Sequence, residues 1–259
     1  MEMSPELRAA LDAAQRAAEI ARSFYQHNIE VRLKEDKSPV TEADVQCEIA
    51  IRDLIESRFP SHGFYGEETG SHHTDAESLW LVDPIDGTKA FVREYPMFST
   101  QIALMRRGEL VLGVSSAPVY GEVCHAERGY GVFLNDQPVR VSDKSSIEEA
   151  TISVGNMKSL ATGPQWGAYG RMIARAHRIR GYGDFLHYHL LAAGKIDVVI
   201  ETDINILDIA ACAAIVTAAG GRFTQLDGAP ISLASTTVLA SNGLMHAPVL
   251  EALKAKEPV

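Results

Sequence analysis

Apolar residues recur at helical spacing in the first sixty positions of the chain. After Ser4 and Pro5, which can cap and begin a helix, leucine and alanine follow at steps of three or four, which predicts a long amphipathic helix. The polar segment Lys34–Thr41 predicts a loop, and Asp44–Phe59 returns to helical spacing. Two helices are therefore expected before the first acidic motif.

The middle of the chain changes to short apolar runs separated by glycine or charged turns. The polar segment Ser71–Glu77 precedes them and is predicted, from its composition, to be the least ordered part of the chain. Four runs follow with the length and residue types of strands, and they predict a mostly antiparallel meander: Thr100–Met105, Leu110–Pro118, Glu122–Glu127 and Gly131–Val141.

The second half of the chain alternates between strand and helix patterns. Glycines close two of the predicted helices, at Gly194 and at Gly220. We predict an N-terminal half, residues 1–145, and a C-terminal half, residues 146–259, that form one compact unit. The predicted strands are Thr151–Val154, Ile196–Glu201 and Thr236–Ala240, and the predicted helices are Gln165–Ala176, Phe185–Ala193, Asp208–Ala219 and Ala247–Ala255.

The stretch Trp80–Phe91 combines an apolar run with chemistry at its end. Asp83 and Asp86 close the run, and Gly87 and Thr88 open what the pattern predicts to be a helix. Carboxylates and the free backbone N–H groups of a helix start therefore converge at one turn. We interpret this turn as a place where a metal and a phosphate are held together.

Acidic residues at four positions, Glu67, Asp83, Asp86 and Asp208, each lie where a loop or strand meets a helix or turn. Hard oxygen ligands of this kind suit magnesium better than zinc. Two like charges about 4 Å apart repel by about 4 kcal/mol at an effective dielectric of about 20, so a cluster of four calls for divalent cations. Taken singly, each carboxylate also fits a helix cap.

Composition excludes some partners. The 259-residue chain has 46% apolar residues and a formal charge of −10, and its lysines and arginines form no cluster. We therefore expect binding to neither nucleic acid nor an anionic membrane. The first residues lack the pattern of a signal peptide, no long apolar run is present, and the three cysteines are widely spaced, which predicts a cytoplasmic protein with reduced thiols.

The motifs together resemble a known family. Asp-Pro-Ile-Asp-Gly-Thr at 83–88, Gly-Glu-Glu at 66–68, Asp-Ile-Ala-Ala at 208–211 and Ala-Gly-Gly at 219–221 look like the inositol monophosphatase superfamily of magnesium-dependent, lithium-sensitive phosphatases. The resemblance implies a layered fold of class α+β or α/β, with alternating α-β-α-β-α layers. It also implies a homodimer that acts on a small phosphorylated substrate.

The resemblance also implies roles for individual residues. Water, activated by two to three Mg²⁺ ions, would attack a phosphomonoester directly, without a phosphoenzyme. The implied metal ligands are Glu67, Asp83, the Ile85 carbonyl, Asp86 and Asp208; the phosphate lies on the N–H groups of Gly87 and Thr88; and the catalytic residues are Thr88, Asp44 and Glu67. For Asp44 the alternative is a cap of the second helix.

Substrate choice is predicted to depend on the second half, where Asp184 and Glu201 would face the leaving group. The Gly-Asp-Phe run at 183–185 is similar to the histidinol-phosphatase branch, and a carboxylate at Asp184 can bind the ammonium and imidazole groups of histidinol phosphate. Leu207 departs from the tryptophan common in that branch. We predict histidinol phosphate as the substrate, with inositol or broad sugar and nucleotide monophosphates, or a non-catalytic binding protein of the same fold, as alternatives.

Overall fold

The computed structural model describes residues 2–27, 31–33 and 39–254. Most of the predicted loop Lys34–Thr41, and the last residue of the predicted terminal helix, Ala255, lie outside these residues. The chain divides into two compact units. Unit 1 contains the residues up to Gln137 together with Leu207–Ile215, and unit 2 contains Pro138–Ile206 and the residues from Val216 onward.

Unit 1 consists of a large sheet and the helices packed on it. In chain order its elements are α1 (Pro5–Phe24), β1 (Val31–Leu33), β2 (Pro39–Thr41), α2 (Glu42–Arg58), β3 (Gly63–Gly66), β4 (Ser71–His72), β5 (Ser78–Asp86), α3 (Thr88–Val92), β6 (Ser99–Arg106), β7 (Glu109–Ala117), β8 (Glu122–Glu127), β9 (Gly131–Leu134) and β10 (Gln137–Pro138).

Helix α1 begins where its sequence predicts. The Ser4 hydroxyl accepts a hydrogen bond of 3.0 Å from the N–H of Leu7, and Pro5 occupies the first turn, where its missing N–H costs nothing. The buried face of α1 is almost entirely alanine, which lets α2 and the sheet approach closely. The predicted first helix is therefore confirmed.

Eight strands form the sheet of unit 1 in the order β10-β9-β8-β7-β6-β5-β3-β4. Strand β3 runs parallel to β5, and β6 to β9 form the predicted antiparallel meander, to which β5 pairs antiparallel through β6. A continuous apolar core joins α1 and α2 to one face of this sheet, with Trp80, Ile102 and Val114 among its buried side chains. The long central strands β5, β6 and β7 thus form a rigid base for the acidic motif.

Unit 2 is built on a five-stranded mixed sheet in the order β12-β11-β13-β15-β14. Its elements are β11 (Thr151–Val154), α4 (Lys158–Thr162), α5 (Trp166–Ile173), β12 (Arg178–Arg180), α6 (Asp184–Ala192), β13 (Val198–Thr202), α7 (Ile206–Ala218), β14 (Arg222–Thr224), β15 (Thr237–Ser241) and α8 (His246–Lys254); the Leu207–Ile215 part of α7 belongs to unit 1.

Several sequence predictions need correction. The predicted strand Gly131–Val141 is interrupted, because Asn135 and Asp136 adopt positive φ and form a turn between β9 and β10. Within the polar segment Ser71–Glu77, β4 pairs with β3. The edge strands β12 and β14, three residues each, were not predicted, because runs this short carry no recognisable alternation.

The three cysteines, Cys47, Cys124 and Cys212, are buried and form no disulfide. Burial raises the pKa of the Cys47 and Cys124 thiols to about 12, so both stay protonated at neutral pH. In the described part of the chain, no helix has the length and apolar character needed to cross a membrane.

A buried histidine in unit 2 is expected to make the stability of the protein depend on pH. His246 begins α8 with no exposed surface, and its ring nitrogens lie 2.9 Å from the Thr224 hydroxyl and 3.0 Å from the Ser241 hydroxyl. Burial, and then the charge of Arg222, lower the pKa of His246 to about 4. The ring is therefore neutral in the folded protein at pH 7.

We expect His246 to make the protein sensitive to acid between pH 6.5 and pH 4. In that range the unfolded chain binds a proton at this histidine and the folded chain does not, so stability falls as the pH falls, by about 3 kcal/mol in total. Urea unfolding from pH 7.5 to pH 4 would measure this for the wild type and for His246→Gln. The difference between the two should shrink by about that amount; a constant difference would contradict the prediction.

Candidate active site

A bulge in β5 brings two aspartates of the central motif to the same side of the sheet. Asp83 is paired with Gln101 and Asp86 with Ser99, so three steps along β5 match two steps along β6. In a regular strand, residues three apart face opposite sides, and the extra residue reverses this. Pro84 is tolerated inside the central strand because it lies in the bulge.

Helix α7 supplies the third aspartate of the group. It approaches β7 so closely that a Cβ on Gly113 would lie 2.4 Å from the carbonyl oxygen of Ala211. Asp208 lies one turn before Ala211, in the first turn of α7. Oxygen atoms of Asp83, Asp86 and Asp208 lie within 4.8 Å of one another. A residue more than 120 positions away in sequence thus completes the acidic group.

This group carries a large electrostatic cost. Asp83 is only 2% exposed, and burial raises its pKa well above the ordinary value. The charges of Glu67, Asp86, Asp208 and Asp44 raise it further, in that order. Carboxylates at this separation are stable as anions only when a cation neutralises them.

The donor atoms of the site fit a divalent cation. The three converging side chains offer only carboxylate oxygens, the ligands that hard cations such as Mg²⁺ prefer. The backbone of the bulge is fixed by Asp83 itself, whose Oδ1 accepts a 3.0 Å hydrogen bond from the N–H of Ile85.

The predicted pair of Thr88 and Asp44 is brought together. The Thr88 hydroxyl lies 3.3 Å from Asp44 Oδ1 and 3.1 Å from the carbonyl oxygen of Ile85. Both are acceptors, so the single hydroxyl proton of Thr88 is donated to one of them at a time. The oxygen of Thr88 keeps its lone pairs for a further donor, such as water.

Asp44 accepts hydrogen bonds at the start of α2 in addition to its contact with Thr88. Its Oδ2 accepts hydrogen bonds from the N–H of Thr41 at 2.8 Å and from the hydroxyl of Thr41 at 2.6 Å, so Thr41 is the N-cap and Asp44 is the third residue of α2. Burial raises the pKa of Asp44, the bonds from Thr41 lower it, and the charge of Glu67 raises it. The Thr-x-x-Asp spacing resembles a capping box and could have predicted Thr41 as the N-cap from the sequence.

Gly87 forms the turn between β5 and α3. Its φ of 89° lies in the left-handed region, and a Cβ there would lie 2.5 Å from the carbonyl oxygen of Met97. Both the conformation and the space therefore require glycine. The N–H groups of Gly87 and Thr88 precede the first intrahelical bond of α3, from Ala90 to Gly87 at 2.8 Å.

Glu67 lies in the loop between β3 and β4 and is exposed. Its charge acts on both Asp83 and Asp44, so it belongs to the same electrostatic field. The group of mutually close carboxylates, however, consists of Asp83, Asp86 and Asp208. The geometry therefore brings Glu67 near the group without making it one of the three.

The two predicted substrate residues lie near each other in unit 2. Glu201 is buried near the end of β13, where its carboxylate accepts hydrogen bonds from the Tyr188 hydroxyl at 2.9 Å and from the N–H of Asn156 at 3.2 Å. The His187 Nε2 atom lies 3.3 Å from the same carboxylate. Burial raises the pKa of Glu201, but these three groups outweigh it, and the pKa is lowered overall.

Asp184 begins α6 with a positive φ of 44°, which is uncommon for any residue other than glycine, asparagine or aspartate. Burial, and then the charge of Glu201, raise the pKa of Asp184 to about 6. Of the two neighbouring carboxylates, Glu201 therefore holds the charge and Asp184 is the one that a cation would help to ionise.

The groups that contact the Glu201 carboxylate were not predicted from the sequence. His187 and His189 are both buried, at 0% and 1% exposure. His187 contacts Glu201, whereas the ring of His189 packs edge-on against Phe185 at 5.1 Å. Residues 187 and 188 follow Asp184 on one short helix, which is only a weak indication that they contact Glu201. The contact depends on how α6 packs against β13.

Comparison with known proteins identifies the relatives of this chain. The model of the inositol monophosphatase family matches residues 2–257. A histidinol-phosphatase of Mycobacterium tuberculosis is 36% identical, over 96% of this chain and 98% of its own. An inositol-1-monophosphatase of Caulobacter vibrioides is 32% identical, over 95% of this chain and 99% of its own.

Among solved structures, the extragenic suppressor protein suhB of Bartonella henselae is similar, with a TM-score of 0.88, 30% identity and coverage of 97% of this chain and 99% of that one. With the acidic site, these matches define the class of the protein as a phosphoric monoester hydrolase. The chain belongs to the inositol monophosphatase family. The predicted resemblance and the predicted layered fold of helices and mixed sheets are confirmed.

The raised pKa of Asp83 predicts the effect of removing its charge. A carboxyl group with a raised folded pKa stabilises the protein at low pH, and that stability is lost as the pH rises towards the folded value. At pH 8 in EDTA, Asp83→Asn should therefore be more stable than the wild type, because the variant has no carboxylate charge to bury beside the other acidic residues. Thermal unfolding with and without Mg²⁺ would measure this.

In the same experiment, Mg²⁺ should raise the melting temperature of the wild type and leave that of Asp83→Asn nearly unchanged, because the variant lacks one of the three mutually close carboxylates that could hold the ion. Asp136→Asn, an exposed aspartate in the turn between β9 and β10, is the control and should behave as the wild type. An Asp83→Asn protein that is less stable in EDTA would contradict the electrostatic argument.

Proposed function

We propose that the protein is a Mg²⁺-dependent phosphomonoesterase that hydrolyses L-histidinol phosphate to L-histidinol and phosphate. The observation that carries the choice of substrate is the neighbouring carboxylate pair in unit 2, with one member, Asp184, at a pKa of about 6. A cationic group would relieve the repulsion between Asp184 and Glu201. Histidinol phosphate has an ammonium group and an imidazole for that purpose.

The metal ligands in this proposal are the carboxylates of Asp83, Asp86 and Asp208, with Glu67 and the Ile85 carbonyl completing the shell of two to three Mg²⁺ ions. The all-oxygen donor set and the repulsion within it support Mg²⁺ over softer metals. When bound, Mg²⁺ polarises phosphoryl oxygens and lowers the pKa of water. The acidic side chains hold the charge that makes this binding favourable.

In the proposed reaction, Thr88 and Asp44 act on the attacking water. Water donates to the lone pair of the Thr88 hydroxyl, and the hydroxyl proton points to Asp44 Oδ1, 3.3 Å away. As water attacks phosphorus, the bond between phosphorus and the ester oxygen of histidinol breaks, and that oxygen leaves as an alkoxide that takes up a proton from solvent. One proton of the attacking water passes to Thr88, and the Thr88 proton passes to Asp44. The hydroxyl is thereby restored, and Asp44 has gained one proton.

The phosphate is proposed to lie on the N–H groups of Gly87 and Thr88. The left-handed conformation of Gly87 turns the chain sharply at this point. Backbone N–H groups at a helix start are suited to anionic oxygens, and they do not depend on pH. The protein needs such local groups because its overall charge is −10.

A second candidate is an inositol phosphate or another sugar phosphate. One relative is named a histidinol-phosphatase and another an inositol-1-monophosphatase. Each covers nearly the whole length of this chain, and their identities to it are similar. Glu201 supports this candidate, because a carboxylate with a lowered pKa, fixed by Tyr188 and Asn156, is a good acceptor for a substrate hydroxyl.

A panel of phosphomonoesters tests the proposal directly. We expect the purified protein to release phosphate from L-histidinol phosphate in the presence of Mg²⁺, with a kcat/KM at least tenfold above that for inositol 1-phosphate, and to release none in EDTA. Phosphate release would be measured for both substrates, a nucleoside monophosphate and a sugar phosphate. A preference for inositol 1-phosphate would favour the second candidate, and no release from any ester would refute both.

Asp184→Asn tests the basis of the preference. Asparagine is close in shape and also tolerates a positive φ, so the variant removes charge without straining α6. A charged hydrogen bond contributes about 1.5 to 3 kcal/mol, so at pH 8 the kcat/KM for histidinol phosphate should fall about tenfold or more. For inositol 1-phosphate it should change less than about threefold.

The same pair of proteins gives a pH test. Asp184 is charged above a pH of about 6 and becomes neutral below it, so the advantage of the wild type over Asp184→Asn should be full at pH 8 and should diminish towards pH 5. Both proteins act on the same substrate, so any titration that affects the two proteins alike cancels in their ratio. A ratio that does not depend on pH would remove Asp184 from substrate recognition.

A further inference from the structure

Helix α2 carries a second buried carboxylate, one turn after Asp44. Glu48 has no exposed surface, although ionisable side chains are rarely buried completely. Residues four apart lie on the same face of a helix, so Asp44 and Glu48 point to the same side of α2. A buried carboxylate is costly unless hydrogen-bond donors surround it.

Among the described residues, the donors to Glu48 come from the loop between β3 and β4, which carries Glu67. Glu48 Oε2 accepts a hydrogen bond of 2.8 Å from the N–H of Glu68. Glu48 Oε1 accepts two more, each of 2.6 Å, from the N–H and the hydroxyl of Thr69. The two residues that follow Glu67 are therefore tied to α2 by three bonds to a charged group, which are stronger than bonds between neutral groups.

Gly66, the residue before Glu67, has no side chain, and this leaves room for the Glu48 carboxylate. A Cβ at this position would lie 2.3 Å from Glu48 Oε1, closer than any side-chain carbon can approach. The N–H of Gly66 also donates to the carbonyl oxygen of Gly70 at 3.1 Å, which closes the loop. The backbone is thus restrained both before and after Glu67.

From this arrangement we infer that Glu48 is a positioning residue, whose buried carboxylate holds the loop at residues 66–70 so that Glu67 is directed towards the acidic group. The inference rests on the proposed role of Glu67 as a metal ligand. The charge of Glu67 acts on both Asp83 and Asp44, so a displacement of this loop would change the field at the site. Helix α2 then serves the site twice, through Asp44 at Thr88 and through Glu48 at the loop.

Glu48→Gln tests the inference, because glutamine keeps the volume but directs an amide N–H₂ towards N–H donors. We expect the Kd for Mg²⁺, measured by isothermal titration calorimetry, to rise about tenfold or more, as is usual when a residue that orients a metal ligand is lost. The matched control is Glu42→Gln, an exposed carboxylate on the same helix, which should keep the wild-type Kd.

A double variant separates positioning from a general loss of stability. If Glu48 acts through Glu67, then adding Glu48→Gln to Glu67→Gln should not raise the Kd for Mg²⁺ beyond that of Glu67→Gln alone. Independent, multiplying losses of affinity would overturn the inference. So would a wild-type Kd for Glu48→Gln.

Thr69→Val keeps the test decisive if Glu48→Gln does not fold. This change removes the hydroxyl donor to Glu48 and leaves the backbone N–H, and we expect a rise in Kd of about threefold with little change in melting temperature. An unchanged Kd in a folded Thr69→Val protein would contradict the inference. If the wild type itself binds no Mg²⁺ and releases no phosphate, the proposed function fails instead, and the two failures are thereby distinguished.

Discussion

The repulsion among buried carboxylates is the constraint on which the arrangement of unit 1 depends. Asp83 is almost fully buried, and four other acidic residues raise its pKa. Such a cluster cannot be a source of stability, so the free energy that maintains it must come from the apolar core between the central sheet and the helices α1 and α2. The long buried strands β5, β6 and β7 and an alanine-rich helix interface supply that base.

Features of the backbone bring the site residues into place. A bulge in β5 places Asp83 and Asp86 on one side, the bare backbone of Gly113 admits α7 and with it Asp208, and the left-handed Gly87 turns the chain into α3. These devices act on the backbone, which moves little when a ligand binds. A site held in this way is arranged before the substrate arrives, so binding does not have to order it.

Two pairs of buried carboxylates in this protein differ in what surrounds them. Glu48 and Glu201 are each surrounded by hydrogen-bond donors. Asp83 and Asp184 are each buried beside like charges; burial raises their pKa values, and the like charges raise them further. The first kind of carboxylate is stable without a ligand, whereas the second kind favours a cation. This contrast supports a metal in unit 1 and a cationic substrate group in unit 2.

The sequence by itself determined several features that depend mainly on near neighbours. These are the start of α1 at Ser4 and Pro5, the meander, the turn at Gly87, and the acidic motifs that identify the family. Local order encodes such features because capping, periodicity and turn geometry act over a few residues. The edge strands β12 and β14 were missed because three residues are too few for a pattern. Only the tertiary structure decided that a bulge turns Asp83 and Asp86 to one side, that Asp208 joins them from a distant helix, and that Glu48, in sequence an ordinary helix glutamate, holds the loop of Glu67. These contacts join residues far apart in the chain, and they exist only after the apolar faces have packed.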